Sequence, residues 1–268
     1  MEKLIFTNSW QQFFAKPGLK SFKDFFNFPN GKLINKNNKR DVQILCFNLD
    51  GKKHIFYLKR FHQPHFKDML LTWQNFGKLC SQAENEWKNS NILFENDIQT
   101  FKPVCFGHQT RWGIERQSFL VTKELKGEPF SHFVTENWSK LTQKQKEKII
   151  IQLAISIRQI HDAGISLPDL YVWHIFIRPE KSKEQEEYNF AFIDLNRMKH
   201  NVTNKNEQLK NLGRLDHSMT DKYFDENSRQ LFIKSYSGDD GTFIIDDLTK
   251  KVKKYSRKVS RKRNPKPY

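Results

Sequence analysis

The chain is poor in cysteine, in acidic residues and in long apolar runs. Its three cysteines, Cys46, Cys80 and Cys105, are far apart and odd in number. That spacing excludes a disulfide framework and shows no zinc-ligand pattern, which points to a reducing compartment. No stretch of roughly 18 apolar residues occurs, so no segment reads as a membrane-spanning helix. The opening Met1-Glu2-Lys3-Leu4-Ile5-Phe6 lacks an apolar run long enough for a secretory signal. There is no internal repeat. Neither G-x-G-x-x-G nor a Walker A segment is present, so the glycine-rich motifs that cradle phosphate are missing. Gly31 and the basic turn from Lys36 to Arg40, whose backbone amides can contact phosphate, are the only candidates for that role.

What is present is a chain of 268 residues, 37% of them hydrophobic, with 24 phenylalanines. That is enough for one large domain or two lobes with a real core, and it excludes a disordered chain. Phe13, Phe14 and the Phe22 to Phe28 stretch form an aromatic N-terminal arm. Burial in a core is expected for it in preference to an interfacial surface, because aromatic clusters usually bury themselves. Forty-six Lys and Arg against 30 Asp and Glu give a net charge of +16. Such a balance calls for an anionic partner: nucleic acid, anionic lipid or a phosphorylated glycolipid.

The chain reads as a strand-rich half followed by a helix-rich half. A short helix is expected from Asn8 to Phe14, a polar turn from Lys32 to Arg40, and strands at 42–47 and 54–60 around the hairpin signal Asp50-Gly51. A helix from Cys80 to Phe94 and strands at 102–107 and 117–122 follow, with Lys123-Glu124-Leu125-Lys126-Gly127 as a hinge. Residues 143 to 162 carry Ile149, Ile150, Leu153, Ala154, Ile157 and Ile160 on one face, the clearest helix, and Gly164 stops it. Strands at 175–177 and 189–195 and helices at 207–216 and 227–236 come next. The expected divisions are 1–122, 123–249 and a basic tail at 250–268.

Two carboxylates stand out. Asp169, in Leu167-Pro168-Asp169-Leu170-Tyr171-Val172-Trp173-His174, lies in the loop after the long helix. Asp194 closes the apolar run Phe190-Ala191-Phe192-Ile193. Phosphoryl transfer needs one carboxylate to orient the attacking hydroxyl and others to hold Mg²⁺ on the nucleotide phosphates. His174 stands five residues after Asp169, where kinase loops place an Asn. It reads either as a second metal ligand or as a hydrogen-bond partner of the loop, imidazole being a poor ligand for a hard cation. For Asp194 the alternatives are a metal and a salt bridge to Arg197. Lys59 ends an apolar strand and suits a phosphate contact if a helix carboxylate orients it, Glu86 before Glu84. His62 and His65 read as plain loop residues.

The pieces Phe56 to Arg60, Ala83 to Trp87, Ser118 to Leu125, His161 to Ile165, Asp169 to His174 and Ile193 to Arg197 resemble the lipopolysaccharide core kinases. So do Leu212-Gly213-Arg214-Leu215 and Phe232 to Tyr236. These are kinase-like enzymes that phosphorylate heptose or Kdo sugars. The resemblance covers about residues 40 to 236, and its most specific pieces are the D-x-Y-x-x-H segment and the downstream I-D-L-x-R. It implies an α+β, two-lobed protein-kinase-like fold: an antiparallel sheet plus one helix in the first lobe, and a helical second lobe. It implies ATP and Mg²⁺ as cofactors and an anionic glycolipid of the inner core as acceptor. Asp169 would be catalytic, and Asp194 and His174 would hold metal. Lys59, Glu86, Glu124 and Leu125 would bind nucleotide, the last two through backbone groups. The sequence departs from the family at Leu167-Pro168, where His-Arg is common.

The competing readings are a catalytically silent kinase-like scaffold and a basic nucleic-acid-binding protein. The latter leaves Asp169 and Asp194 unexplained, so no nucleic acid partner is expected. The segment from Lys250 to Lys266 carries ten Lys or Arg and no acid. It suits either an anionic membrane surface or a solvated, frayed tail, and the expected location is cytoplasmic, peripheral on the inner face of the inner membrane.

Overall fold

The computed structural model of the chain describes residues 1–268 except 8–9, 65, 182–185, 239–243, 263 and 265–266. It divides into two units, Met1–Phe94 with Thr100–Leu125, and Glu95–Gln99 with Lys126–Tyr268. The expected break before Lys123 falls inside the first unit.

The first unit runs β1 (Glu2–Phe6), α1 (Trp10–Ala15), α2 (Phe22–Phe26), β2 (Lys32–Lys36), β3 (Arg40–Leu49), β4 (Lys52–Phe61), α3 (Phe66–Phe76), α4 (Gln82–Glu95), β5 (Pro103–Arg111) and β6 (Ile114–Lys123). The strands form one antiparallel sheet of order β1-β5-β6-β4-β3-β2. Asp50 and Gly51 join β3 to β4 with φ of 51° and 72°. Two left-handed residues make the turn whose twist matches an antiparallel hairpin, and it fixes Leu49 opposite Lys52.

The aromatic arm is core. Phe14, Leu19, Phe22, Phe25 and Phe26 pack with Leu45, Phe47, Phe56, Leu58, Phe119 and Val121 of the sheet. Rings of Phe25 and Phe119 stack with centroids 5.0 Å apart. Gly107 makes this fit: a Cβ there would lie 2.6 Å from the Phe119 ring, a clash no packing relieves.

Several local expectations change here. The helix near the N-terminus spans Trp10–Ala15, and Asn8 lies outside the described residues. Residues 32–36, expected as turn, form edge strand β2. Every residue of β2 is exposed, so only backbone pairing with β3 makes it a strand and no apolar period marks it. Four helical segments belong mainly to this unit among the described residues, α1 and α4 near the two helices expected at 8–14 and 80–94, α2 and α3 in addition. The unforeseen α3 buries Met69 and Thr72 while Leu70 and Trp73 face outward, which scrambles its periodicity.

The second unit runs β7 (Glu128–Pro129), α5 (Phe130–Asn137), α6 (Gln143–Asp162), β8 (Ile175–Lys181), β9 (Glu186–Phe192), α7 (Lys205–Ser218), α8 (Glu226–Ser237) and α9 (Ile245–Ser260). Its small antiparallel sheet has the order β7-β8-β9. Helix α6 starts at a capping box, with Thr142 and Gln145 each satisfying the other's backbone N–H. Its buried face is the isoleucine-rich one read from sequence. Gly164, at φ 68°, turns the chain away from it.

The boundary expected at 249/250 falls inside α9. Leu248 and Val252 are buried, and α9 lies so close to α7 that a Cβ on Gly213 would stand 2.4 Å from Tyr255 Cβ. Leu248, Val252, Tyr255 and Val259 recur at helical steps of four and three, a stripe masked in the sequence by the surrounding Lys and Arg.

Candidate active site

In the first unit, Lys59 lies on β4 between Val42 of β3 and Leu120 of β6. A central strand pinned on both sides fixes where its side chain emerges. Lys59 Nζ forms an ion pair with Glu86 Oε1. Glu86 is 1% exposed on α4; a buried carboxylate needs such a counter-charge. Glu84 is engaged elsewhere, 3.1 Å from Lys88 Nζ and 3.8 Å from His108 Nδ1. The choice of Glu86 over Glu84 therefore has a geometric basis. The N-terminus of α4 is itself anchored: Ser81 Oγ accepts from Glu84 N–H, Ser118 Oγ from Ala83 N–H, and Glu115 Oε2 from Gln82 N–H. Burial raises the Glu115 carboxyl to about 7. Glu124 closes this unit, its N–H donating to the Ile55 carbonyl at 3.2 Å.

In the second unit, Asp169, His174 and Asp194 form one connected set. The chain leaves α6, pairs Ser166 with Lys199, turns at Leu167–Leu170, and enters a short 3-10 turn at Val172–His174. His174 Nδ1–H donates to the Asp169 carbonyl at 2.8 Å. This holds the loop and turns Nε2 toward Asp194 Oδ2, 3.6 Å away. The His174 carbonyl accepts from Ile193 N–H at 3.0 Å, which fixes the residue just before Asp194. His174 thus bonds the Asp169 loop, one of the two roles read for it.

Asp194 has φ 62° and ψ 63°. A non-glycine residue in the left-handed region costs free energy, and such outliers gather at functional positions. Arg197 bonds Asp169, not Asp194: its Nη1 lies 3.3 Å from Asp169 Oδ1. The Arg197 side chain is 54% exposed and the Asp169 side chain 19%, so the carboxylate is partly open and lightly held.

The departure at Leu167-Pro168 has a structural counterpart. Asn211 Oδ1 on α7 accepts from Leu167 N–H at 2.7 Å, from Ser166 Oγ at 3.2 Å and from His161 Nε2 at 3.3 Å. His161 Nδ1 in turn accepts from the Tyr236 hydroxyl at 2.7 Å. Burial pushes the His161 imidazole down to about 4, so it stays neutral with one donor and one acceptor nitrogen, as both bonds require. Ser218 Oγ accepts from Val172 N–H at 3.0 Å. Sequence reasoning gave no role to Asn211 or Ser218. The one available signal was a polar Asn beside the apolar Leu209, Leu212 and Leu215 of a helix.

Among the described residues, no three His, Cys, Asp or Glu cluster to cage a metal. Mg²⁺ does not need a cage, since it binds one or two carboxylates together with substrate phosphates and water. Asp194, with its oxygens beside His174 and a partly open side chain, suits that mode. His62 pairs with buried Asp41 at 2.5 Å, alongside Arg60 at 2.9 Å, a packing role. His65 lies outside the described residues.

The sequence pattern of the lipopolysaccharide kinase (Kdo/WaaP) family matches residues 29–236. The chain belongs to this family. Among its relatives, the lipopolysaccharide core heptose(I) kinase WaaP of Escherichia coli strain K12 is 24% identical over 170 residues, 63% of each chain. The WaaP of Pseudomonas aeruginosa is 24% identical over 157 residues, 58% of this chain and 59% of its own. The match thus spans less than two thirds of these curated relatives. A solved structure of WaaP in complex with acyl carrier protein superposes with a TM-score of 0.69 at 18% identity, over 97% of this chain and 98% of that one. That likeness establishes the α+β, kinase-like fold. Among the described residues, no helix is long and apolar enough to cross a membrane.

Proposed function

We propose that the chain is an ATP- and Mg²⁺-dependent kinase that phosphorylates a sugar hydroxyl, of heptose in preference to Kdo, in the lipopolysaccharide inner core. Family membership supports the class. Heptose is favoured because the relatives are named heptose(I) kinases. The observation that carries the reading is the linked set Asp169–His174–Asp194, in which one histidine bonds the Asp169 main-chain carbonyl and faces the Asp194 carboxylate at 3.6 Å.

In this reading Asp169 accepts a hydrogen bond from the acceptor hydroxyl and orients its oxygen for attack. Arg197 moderates the charge of that carboxylate. Asp194 is the metal carboxylate, with His174 beside it as the second candidate ligand. Mg²⁺, when bound, neutralises charge on the phosphate oxygens. Lys59, aimed by Glu86, contacts the nucleotide phosphates. The Glu124 N–H is committed to Ile55, so adenine recognition falls to the Glu124 carbonyl and the Leu125 N–H. The acceptor is lipid-linked, which places the enzyme at the cytoplasmic face of the inner membrane.

Mass spectrometry of inner-core glycolipid from cells with and without the gene tests this. Loss of one phosphate on the heptose region is expected, restored by wild type and not by Asp169→Ala. Unchanged glycolipid, or full rescue by that variant, would remove the catalytic assignment and leave a silent scaffold.

A further inference from the structure

Helix α9 has a second face that the fold does not use. Its apolar residues Leu248, Val252, Tyr255 and Val259 are buried or half-buried, toward α7. Half a helical turn round, Lys250, Lys254, Arg257 and Arg261 recur at steps of four, three and four, and all four are exposed. Lys258 flanks them, exposed and packed over the Tyr255 ring at 5.1 Å. The ion pairs of the helix lie off this stripe: Lys251 meets Asp247 at 2.6 Å and Lys253 meets Glu226 at 2.7 Å. Among the described residues, no carboxylate pairs with Lys250, Lys254, Arg257 or Arg261.

Like charges three and four residues apart destabilise a helix. The helix dipole favours cations only in the last turn, which covers Arg257 and Arg261 but not Lys250 and Lys254. The row therefore extends beyond what helix stability explains. The apolar stripe is taken up inside the unit, so α9 cannot insert into a bilayer as a free amphipathic helix does. What it offers outward is charge on a rigid rod.

We infer that the outer face of α9, from Lys250 to Arg261, docks the protein on an anionic phospholipid surface by charge alone. This rests on the lipid-linked acceptor proposed above. Nucleic acid fits the face less well, because it presents no outward aromatic ring on which bases stack.

The test is co-sedimentation of the full chain with vesicles of phosphatidylcholine alone or with roughly one third phosphatidylglycerol. Binding is expected only to the second. It should vanish as ionic strength rises from about 0.1 M to about 1 M and the screening length shrinks from about 10 Å to about 3 Å. The variant K250Q/K254Q/R257Q/R261Q, checked for an unchanged melting curve, should bind about six hundredfold more weakly, on the order of fivefold for each of the four charges. Equal binding to both vesicles, binding that survives high salt, or a variant that binds like wild type overturns the inference. So does tighter binding to short duplex DNA than to anionic vesicles at the same salt. Phosphorylation of a soluble core oligosaccharide separates the two readings. If that reaction proceeds while vesicle binding fails, the docking face is wrong and the kinase stands; if vesicles bind and no saccharide is phosphorylated, the kinase reading fails by itself.

Discussion

The two units hold their candidate groups by different means. In the first, Lys59 and Glu86 sit on regular elements, a central strand and a helix, and meet in an ion pair. In the second, Asp169 and Asp194 sit on irregular backbone, and the restraint comes from side chains that bond to main chain: His174, Asn211 and Ser218. A strand and a helix aim a residue by their own repeat. A loop has no repeat, so it is held by polar groups from neighbouring helices. The first arrangement should fail when the aim of a side chain is lost, the second when the shape of a segment is lost.

The largest expected effect tests the second unit directly. Asp169→Asn keeps the shape and removes the acceptor charge, and transfer should fall by about 10²–10⁴-fold with the KM for ATP little changed. Asp194→Ala should cost at least as much and should not be rescued by added Mg²⁺. A steady-state assay on purified core oligosaccharide decides both. If Asp169→Asn raised KM for ATP and spared kcat, the residue would be a nucleotide contact and not an orienter.

Lys59→Met comes next, with about 10²–10³-fold lost. Glu86→Gln should act in the same direction but less, because Lys59 remains and only its aim is loosened. The two losses should be far from additive, since they break one pair. A double mutant whose effect equals the product of the singles would show that the observed ion pair has no part in catalysis.

How far these features were legible follows from the same contrast. Lys59, Glu86 and the helix Gln143–Asp162 were readable because regular elements print their period on the sequence. Asp169, His174 and Asp194 were readable as residue types at a spacing, not as geometry. The histidine-to-carbonyl bond and the left-handed Asp194 leave no pattern. Asn211 comes from more than forty residues downstream, and long-range polar ties do not show in local periodicity. Edge strand β2 was hidden because nothing in it is buried, and α9 because charge outnumbers its apolar stripe.

Asn211→Ala probes the segment itself. It leaves Leu167 N–H, Ser166 Oγ and His161 Nε2 without their shared acceptor in a buried place, and such losses cost about 1–3 kcal/mol each when water cannot replace the partner. Their sharing of one oxygen makes a total near 3 kcal/mol the expected fall in unfolding free energy, read from urea melts. The kcat of the folded fraction should fall as well; Lys59→Met, which takes the Lys59 counter-charge from buried Glu86, should also lower stability, so only the kcat of the folded fraction bears on the loop. A destabilised variant with full kcat would show that Asn211 supports the fold without shaping the loop.

The smallest effect concerns pH and has opposite sign in the two units. Glu115, raised by burial to about 7 from an ordinary 4.5, keeps its proton in the folded state after the unfolded chain has lost it. Its contribution is complete below about pH 4.5 and is lost as pH rises toward 7. His161, held down by burial to about 4 from 6.5, does the reverse: its contribution is complete above pH 6.5 and is lost as pH falls toward 4. Between these limits the two slopes oppose, so the wild-type profile should be flatter than that of a variant lacking either group. Glu115→Gln can still accept from Gln82 N–H but cannot titrate. Relative to wild type it should gain about 2 kcal/mol in unfolding free energy from pH 5 to pH 6.5, at 1.36 kcal/mol per unit. Parallel urea profiles over that range would mean that Glu115 is ionised in the folded protein. The anchor of α4, and through it the aim of Glu86, would then be a charged cap and not a proton-sharing one.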